Sequence, residues 1–233
     1  MGFLNGFLDL IYPPYDTCAG CRTRRVEAFL CPACFNSLRL PFREICLKCG
    51  RPLTSKPLCP ECAGRSRAFT VARAAGLYEG ILQEAIHRFK YGRRAGMGRP
   101  LGRLLARVGR DEGFGRWEAV IPVPLHPRRL RERGFNQAEL LAREVAAELD
   151  LPLLKGVLLR ARATPAQASL SREERLVNLP GAFRARDAEE LWGKTVLLVD
   201  DVYTTGATAE ECARTLLAGG AREVGVLVLA RGR

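Results

Sequence analysis

Two adjacent aspartates, Asp200 and Asp201, close an apolar run in TVLLVDDVYTTGAT, and three threonines and a glycine follow before a helix-like segment. Paired carboxylates at a strand end can serve a metal, a sugar or a phosphorylated residue. A nucleoside-triphosphatase strand is excluded, because Gly193, Lys194 and Thr195 precede the apolar run instead of opening a helix after it. Too few residues follow Asp201 to complete a phospho-receiver domain. Helix capping would explain one aspartate and leave the threonines unused. One reading accounts for every position. The carboxylates stand at the carboxyl end of a central parallel strand, where open α/β sheets bind ligands. Thr204, Thr205, Gly206, Ala207 and Thr208 then open a helix, whose N–H groups, hydroxyls and dipole suit a phosphate. Carboxylates beside a phosphate cradle suit the vicinal hydroxyls of a ribose 5-phosphate, directly or through Mg²⁺.

The second chemical feature is cysteine. Eight of the nine cysteines form four CxxC pairs: Cys18 and Cys21, Cys31 and Cys34, Cys46 and Cys49, Cys59 and Cys62. Each CxxC turn points two thiolates at one centre, and two turns complete a closed tetrahedral site of the structural zinc type. Nine residues separate the first pair from the second and nine the third from the fourth. That symmetry predicts two successive zinc ribbons, each holding one ion. Cross-bracing of pairs one with three and two with four is the less economical arrangement. Iron–sulfur clusters or disulfides would use the same residues, but a reduced compartment favours zinc. A segment so poor in large aliphatics needs its metal to fold. Cys212, inside the helix after the threonines, reads as a packed thiol.

Charge supplies a third observation. The formal charge is +12, and between Arg88 and Arg133 there are 13 Arg or Lys against 4 Asp or Glu. Such a block suits polyanions, although solvated helix faces and Arg-rich coding produce the same composition. Arg88, Lys90, Arg93 and Arg94 cluster around a glycine-marked break and are the candidate nucleic-acid contacts. His87 and His126, the only histidines, read as ordinary side chains.

These groups need a scaffold. No apolar run approaches the 18 or more residues of a membrane span. The opening MGFLNGFLDLIYPPYD lacks a basic n-region and a cleavage site, so it is expected as a short helix docking on the body, with a membrane-surface helix as the alternative. A cytoplasmic location is expected. Apolar periodicity predicts strands near residues 71–78, 119–124, 157–160, 182–184, 196–199 and 223–230. Two helices broken at residues 91–98, one at 136–149 and one after the threonines alternate with them. The capping-box pattern of Asn136 and Glu139 marks the start of the third. LHPRRLRERGFNQ, carrying its arginines from a strand end to that helix, is expected as an anion-binding loop. The polar residues 161–178 read as a mobile loop able to close over a ligand. Alternation predicts a mainly parallel sheet flanked by helices. The expected domains are residues 1–66, the helix and double ribbon, and residues 67–233, the α/β body.

VLLVDDVYTTGAT resembles the ribose-phosphate signature of type I phosphoribosyltransferases, which bind 5-phosphoribosyl-1-pyrophosphate (PRPP). With FKYGRR, IPVPLHPRRLRERGFNQAELLA, TPAQASLSREERLVNLPGAF and the ribbons, nearly the whole chain resembles the ComF family. The resemblance implies a type I phosphoribosyltransferase-like fold with an N-terminal double zinc ribbon, and a role in DNA uptake and natural transformation. It also implies two structural zinc ions, Mg²⁺, PRPP, single-stranded DNA and a competence helicase or ATPase as partners. By matched position, Asp200 and Asp201 would contact ribose and magnesium, and Thr204 to Thr208 the 5′-phosphate. Arg131 and Arg133 would lie in the pyrophosphate loop, and residues 164–175 in the flap. One departure stands out: no segment resembles the nucleobase-binding hood of the salvage enzymes. Three functions follow as expectations: a DNA-handling protein that binds PRPP, a working phosphoribosyltransferase acting on a small base or amine, or a scaffold for a partner ATPase.

Overall fold

Apolar runs buried on both faces form the central sheet, as a parallel sheet demands. A computed structural model describes residues 18, 21, 30–36, 44–55, 57–92, 94–110, 114, 116–162, 181–186 and 189–232. The expected N-terminal helix, Arg93 and the loop of residues 163–180 lie outside the described residues. The strands are β1 (Val71–Leu77), β2 (Ala119–Pro122), β3 (Leu158–Arg160), β4 (Phe183–Ala185), β5 (Thr195–Tyr203) and β6 (Glu223–Arg231). The helices are α1 (Pro32–Asn36), α2 (Pro60–Ala63), α3 (Gly80–Tyr91), α4 (Gly98–Gly109), α5 (Pro127–Arg133), α6 (Gln137–Leu149) and α7 (Ala207–Ala218).

Four strands pair in the order β1-β6-β5-β2, and every pair is parallel. Inward residues of α3, α4 and α6, among them Leu82, Phe89, Leu101, Leu105, Leu141 and Val145, cover one face together with Leu197 and Val199 of β5. On the other face Val196 and Leu198 pack with α7, β3, β4 and the second cysteine group. Helices α4 and α6 approach closely: a Cβ added at Gly102 would come within 3.2 Å of the Leu141 carbonyl oxygen.

Two elements differ from the sequence expectation. The strands near residues 157–160 and 182–184 do form, but they leave the main sheet and pair antiparallel as β3 and β4. Residues 152–154 hydrogen-bond beside Val120 of β2, at 2.9 Å on each side, and occupy the edge those strands would have taken. The arginine loop also contains a short helix, α5. Pro127 fits its first turn, His126 Nδ1 accepts from the Arg128 N–H at 3.2 Å, and Gly134 ends it at φ 85°. Helix α6 is capped as expected, Asn136 Oδ1 accepting from the Ala138 N–H at 3.1 Å. Glu139, expected to complete a capping box, pairs with Lys155 at 2.7 Å.

Candidate functional site

Alternation along β5 determines where the two carboxylates point. Leu198 faces the α7 side and Val199 the α3 side, so Asp200 continues the first face and Asp201 the second. The adjacent aspartates therefore reach the strand end from opposite sides. Asp201 is 4% exposed, and its Oδ1 lies 2.8 Å from Lys90 Nζ at the end of α3. Its Oδ2 is buried without a hydrogen-bond partner among the described residues. Asp200 is half-buried and accepts from the Asp201 N–H at 2.8 Å. Burial, then repulsion from Asp201, pushes the Asp200 carboxyl up to about 7. Burial alone would lower the Lys90 ammonium, but attraction to Asp201 and Asp200 holds it above its ordinary value.

Arginines stand on both flanks of the pair. Arg133, from the end of α5, is half-buried; its desolvation lowers its pKa against the opposing attraction of Asp201. Its Nη1 is buried with no hydrogen-bond partner among the described residues. On the Asp200 side, Arg160 ends β3 above the Phe183 ring, 5.4 Å from its centroid. Burial lowers Arg160, the Arg129 charge lowers it further, and Asp200 opposes both. Arg131 is exposed on the outer side of α5. Arg129 and Arg160 were not among the residues singled out by sequence, although Arg160 carries the same signal as the aspartates, a charge closing an apolar strand.

Beyond the aspartates the chain turns into α7. Asp200, Thr204, Thr205, Gly206, Ala207 and Thr208 line an open hollow with Val123 and Tyr203. Thr204, Thr205 and Thr208 are half-exposed around it, and Thr205 Oγ1 accepts from the Ala207 N–H at 3.3 Å. Gly206 adopts φ 80°, and a Cβ there would run into the Tyr203 ring and hydroxyl. Glycine is thus required twice over. Tyr203 itself packs edge-on to Phe69, 6.2 Å between centroids, and under the Arg231 guanidinium at 5.2 Å.

Arg231 connects this loop to the cysteines. It is buried, and its Nη1 donates to the Cys49 carbonyl oxygen and lies 3.5 Å from Cys49 Sγ. Cys46, Cys49, Cys59 and Cys62 form one cluster and Cys18, Cys21, Cys31 and Cys34 another, with sulfurs within 4.8 Å of one another in each. Consecutive pairing therefore replaces cross-bracing. The Cys49–Cys59 and Cys21–Cys31 sulfur separations are 3.7 and 3.9 Å. Tetrahedral zinc with its usual bond length places sulfurs about 3.8 Å apart, so both clusters fit zinc. Backbone N–H groups of Cys31 and Cys59 each donate to the sulfur of a cluster mate at 3.3 Å. Burial and neighbouring sulfurs push Cys34 and Cys62 up to about 12, an arrangement that a divalent cation relieves.

The second cluster is bound into the body. The Ala72 N–H donates to the Lys48 carbonyl at 2.7 Å, and the Ala68 N–H to Glu210 in the first turn of α7 at 3.2 Å. Of the basic residues around the α3 end, the three described ones separate: Lys90 turns into the aspartate site, Arg88 pairs with Glu84, and Arg94 precedes a 3₁₀ turn at Ala95–Met97. His126 caps α5, and His87 lies against Tyr91 with the rings tilted by 45°. Cys212 is fully buried, and burial raises its thiol well above the ordinary range. Among the described residues no helix is long and apolar enough to cross a membrane.

Comparison with known proteins extends these observations. A double zinc ribbon model matches residues 7–63, and a phosphoribosyl transferase domain model matches residues 136–233. Competence protein F of Haemophilus influenzae is 33% identical over 222 residues, which cover 87% of this chain and 97% of that protein. The DNA utilization protein YhgH of Escherichia coli K12 is 36% identical over 222 residues, covering 93% of this chain and 91% of the relative. Among solved structures, glutamine PRPP amidotransferase from Bacillus subtilis overlaps 55% of this chain and 25% of its own, at 23% identity and a TM-score of 0.38.

Proposed function

The chain belongs to the ComF family of competence and DNA-utilization proteins, and we propose that it binds PRPP and single-stranded DNA in the cytoplasm during DNA uptake. The observation that carries the ligand is the end of β5. There two carboxylates, flanked by Lys90, Arg133 and Arg160, meet the threonine-lined hollow at the start of α7. In this reading Thr204, Thr205, Gly206, Ala207 and Thr208 hold the 5′-phosphate, while Asp200 and Asp201 take the ribose hydroxyls. Arg133, whose Nη1 has no hydrogen-bond partner among the described residues, takes the pyrophosphate, and Arg131 screens its outer oxygens. Lys90 offsets the charge of the buried Asp201 side chain at 2.8 Å.

Magnesium fits the same residues. Asp200 and Asp201 offer hard oxygen donors, and Asp201 Oδ2 is buried with no other partner among the described residues. When bound there it would neutralise charge on the pyrophosphate. A competence ATPase is the expected protein partner.

DNA binding draws on the basic block and on Arg88, Arg93 and Arg94. The test is a titration of a labelled oligothymidylate at several salt concentrations, with and without PRPP and Mg²⁺. The reading expects affinity to fall steeply with salt and PRPP to alter it. Absent or salt-insensitive binding would contradict it. The alternative, phosphoribosyl transfer to a small base or amine, is favoured by the cations that converge on the aspartates. It expects Mg²⁺-dependent pyrophosphate release with an acceptor, lost in the Asp200→Asn, Asp201→Asn double variant.

A further inference from the structure

Tyr91 ends α3 with 60% of its surface open, directly after the Lys90 that holds Asp201. The neighbouring aromatic, Phe89, is fully buried and stacks on Phe135 at 5.6 Å, so the helix end is already anchored without Tyr91. Two side chains nevertheless hold the Tyr91 ring in place. His87, one turn earlier, lies 4.8 Å away centroid to centroid at 45°, and the Arg133 guanidinium sits 5.5 Å from the ring centroid. Arg133 comes from a different element, α5, and is itself half-buried with Nη1 unpartnered among the described residues. The result is an exposed aromatic ring with a guanidinium over one face and a tilted imidazole beside it, at the rim of the carboxylate site.

An apolar peptide or lipid would want aliphatic walls, whereas these neighbours are cationic or polar and planar. A planar π-system, with or without a phosphate attached, fits these neighbours: the open part of the ring stacks, and the Arg133 guanidinium beside it attracts a phosphate where the base carries one. We propose that Tyr91, positioned by His87 and Arg133, is a stacking platform for a nucleobase. The base comes either from a DNA strand passing the site or from a free nucleoside. This rests on the proposed reading of the chain as a binder of PRPP and single-stranded DNA, and it locates one base contact within that reading.

The zinc-loaded full chain and its Tyr91→Ala, Tyr91→Phe and Arg131→Ala variants are titrated with fluorescein-labelled oligothymidylate across a salt series. An abasic oligomer of equal length and free thymidine serve as further probes. Stacking on one base predicts roughly 10-fold weaker oligothymidylate binding by Tyr91→Ala, with the salt slope unchanged. Tyr91→Phe keeps wild-type affinity, Arg131→Ala reduces the slope, and the abasic oligomer does not distinguish Tyr91→Ala from wild type. Because the residue is exposed, thermal unfolding of Tyr91→Ala should match wild type. If oligothymidylate fails to bind the wild type at low salt, the single-strand reading falls. The thymidine arm then decides the platform: binding weakened by Tyr91→Ala supports it, and no binding or equal binding overturns it. Equal binding of both probes by Tyr91→Ala and wild type likewise overturns it.

Discussion

Lys90 and Asp201 form the residue-scale contact on which the site depends. Their side chains are 19% and 6% exposed and 2.8 Å apart. Removing only the cation leaves a buried carboxylate uncompensated, so Lys90→Met should destabilise the protein by about 3 kcal/mol in denaturant unfolding. Adding Asp201→Asn to that variant removes the orphaned charge and should recover most of the loss, a non-additivity that a double-mutant cycle reads directly. Asp200 makes a separate prediction about pH. Burial and its neighbour raise its folded-state pKa to about 7, whereas an unfolded aspartate titrates near about 3.9. The folded state therefore holds a proton that the unfolded chain has released. This group's contribution to stability is fully present below the unfolded pKa and disappears as pH rises through about 7. Stability measured from pH 5 to 8 should fall less steeply in Asp200→Asn than in wild type; parallel curves would contradict the assigned shift.

At the scale of elements, one chain of contacts runs from the second cysteine cluster to the threonine-lined hollow: Cys49, Arg231, Tyr203 and Gly206. Gly206→Ala combines an unfavourable φ of 80° with a collision against Tyr203. It should cost about 2 kcal/mol or more and weaken binding of inorganic phosphate or ribose 5-phosphate in calorimetry. Metal analysis should find two zinc equivalents per chain. Stripping them with a chelator should loosen the Arg231 contact and weaken the same ligands, with Cys49→Ser reproducing more of that effect than Cys21→Ser. Much of this was legible from spacing alone. The equal gaps between CxxC turns anticipated consecutive pairing, and the apolar run before Asp200 anticipated a buried strand with carboxylates at its end. Helix α5 was missed because its arginines obscured a Pro127 start and a Gly134 stop. The placement of β3 and β4 was missed because apolar pattern identifies a strand but not its partner. Lys90 read as a nucleic-acid contact for the same reason: only the packing of α3 against the end of β5 brings it to Asp201.

For the molecule as a whole, ribbon and body share one core. Cys46, Cys49, Cys59 and Cys62 are buried with Phe69, Tyr203 and the α7 residues Cys212 and Leu216. The second ribbon is thus held to the body by packing as well as by chain connection, and its unfolding should be coupled to that of the sheet. Net charge was legible at this scale, but its division was not. Of the basic block, Lys90 and Arg133 serve the aspartates, while Arg131 stays outside. The central claim is that the end of β5 and the start of α7 together bind a ribose phosphate bearing pyrophosphate. Calorimetric titration of PRPP with Mg²⁺ into the zinc-loaded chain tests it most directly. One equivalent should bind, and binding should be lost in the Asp200→Asn, Asp201→Asn variant; absence of heat, or heat unchanged in that variant, would contradict the claim.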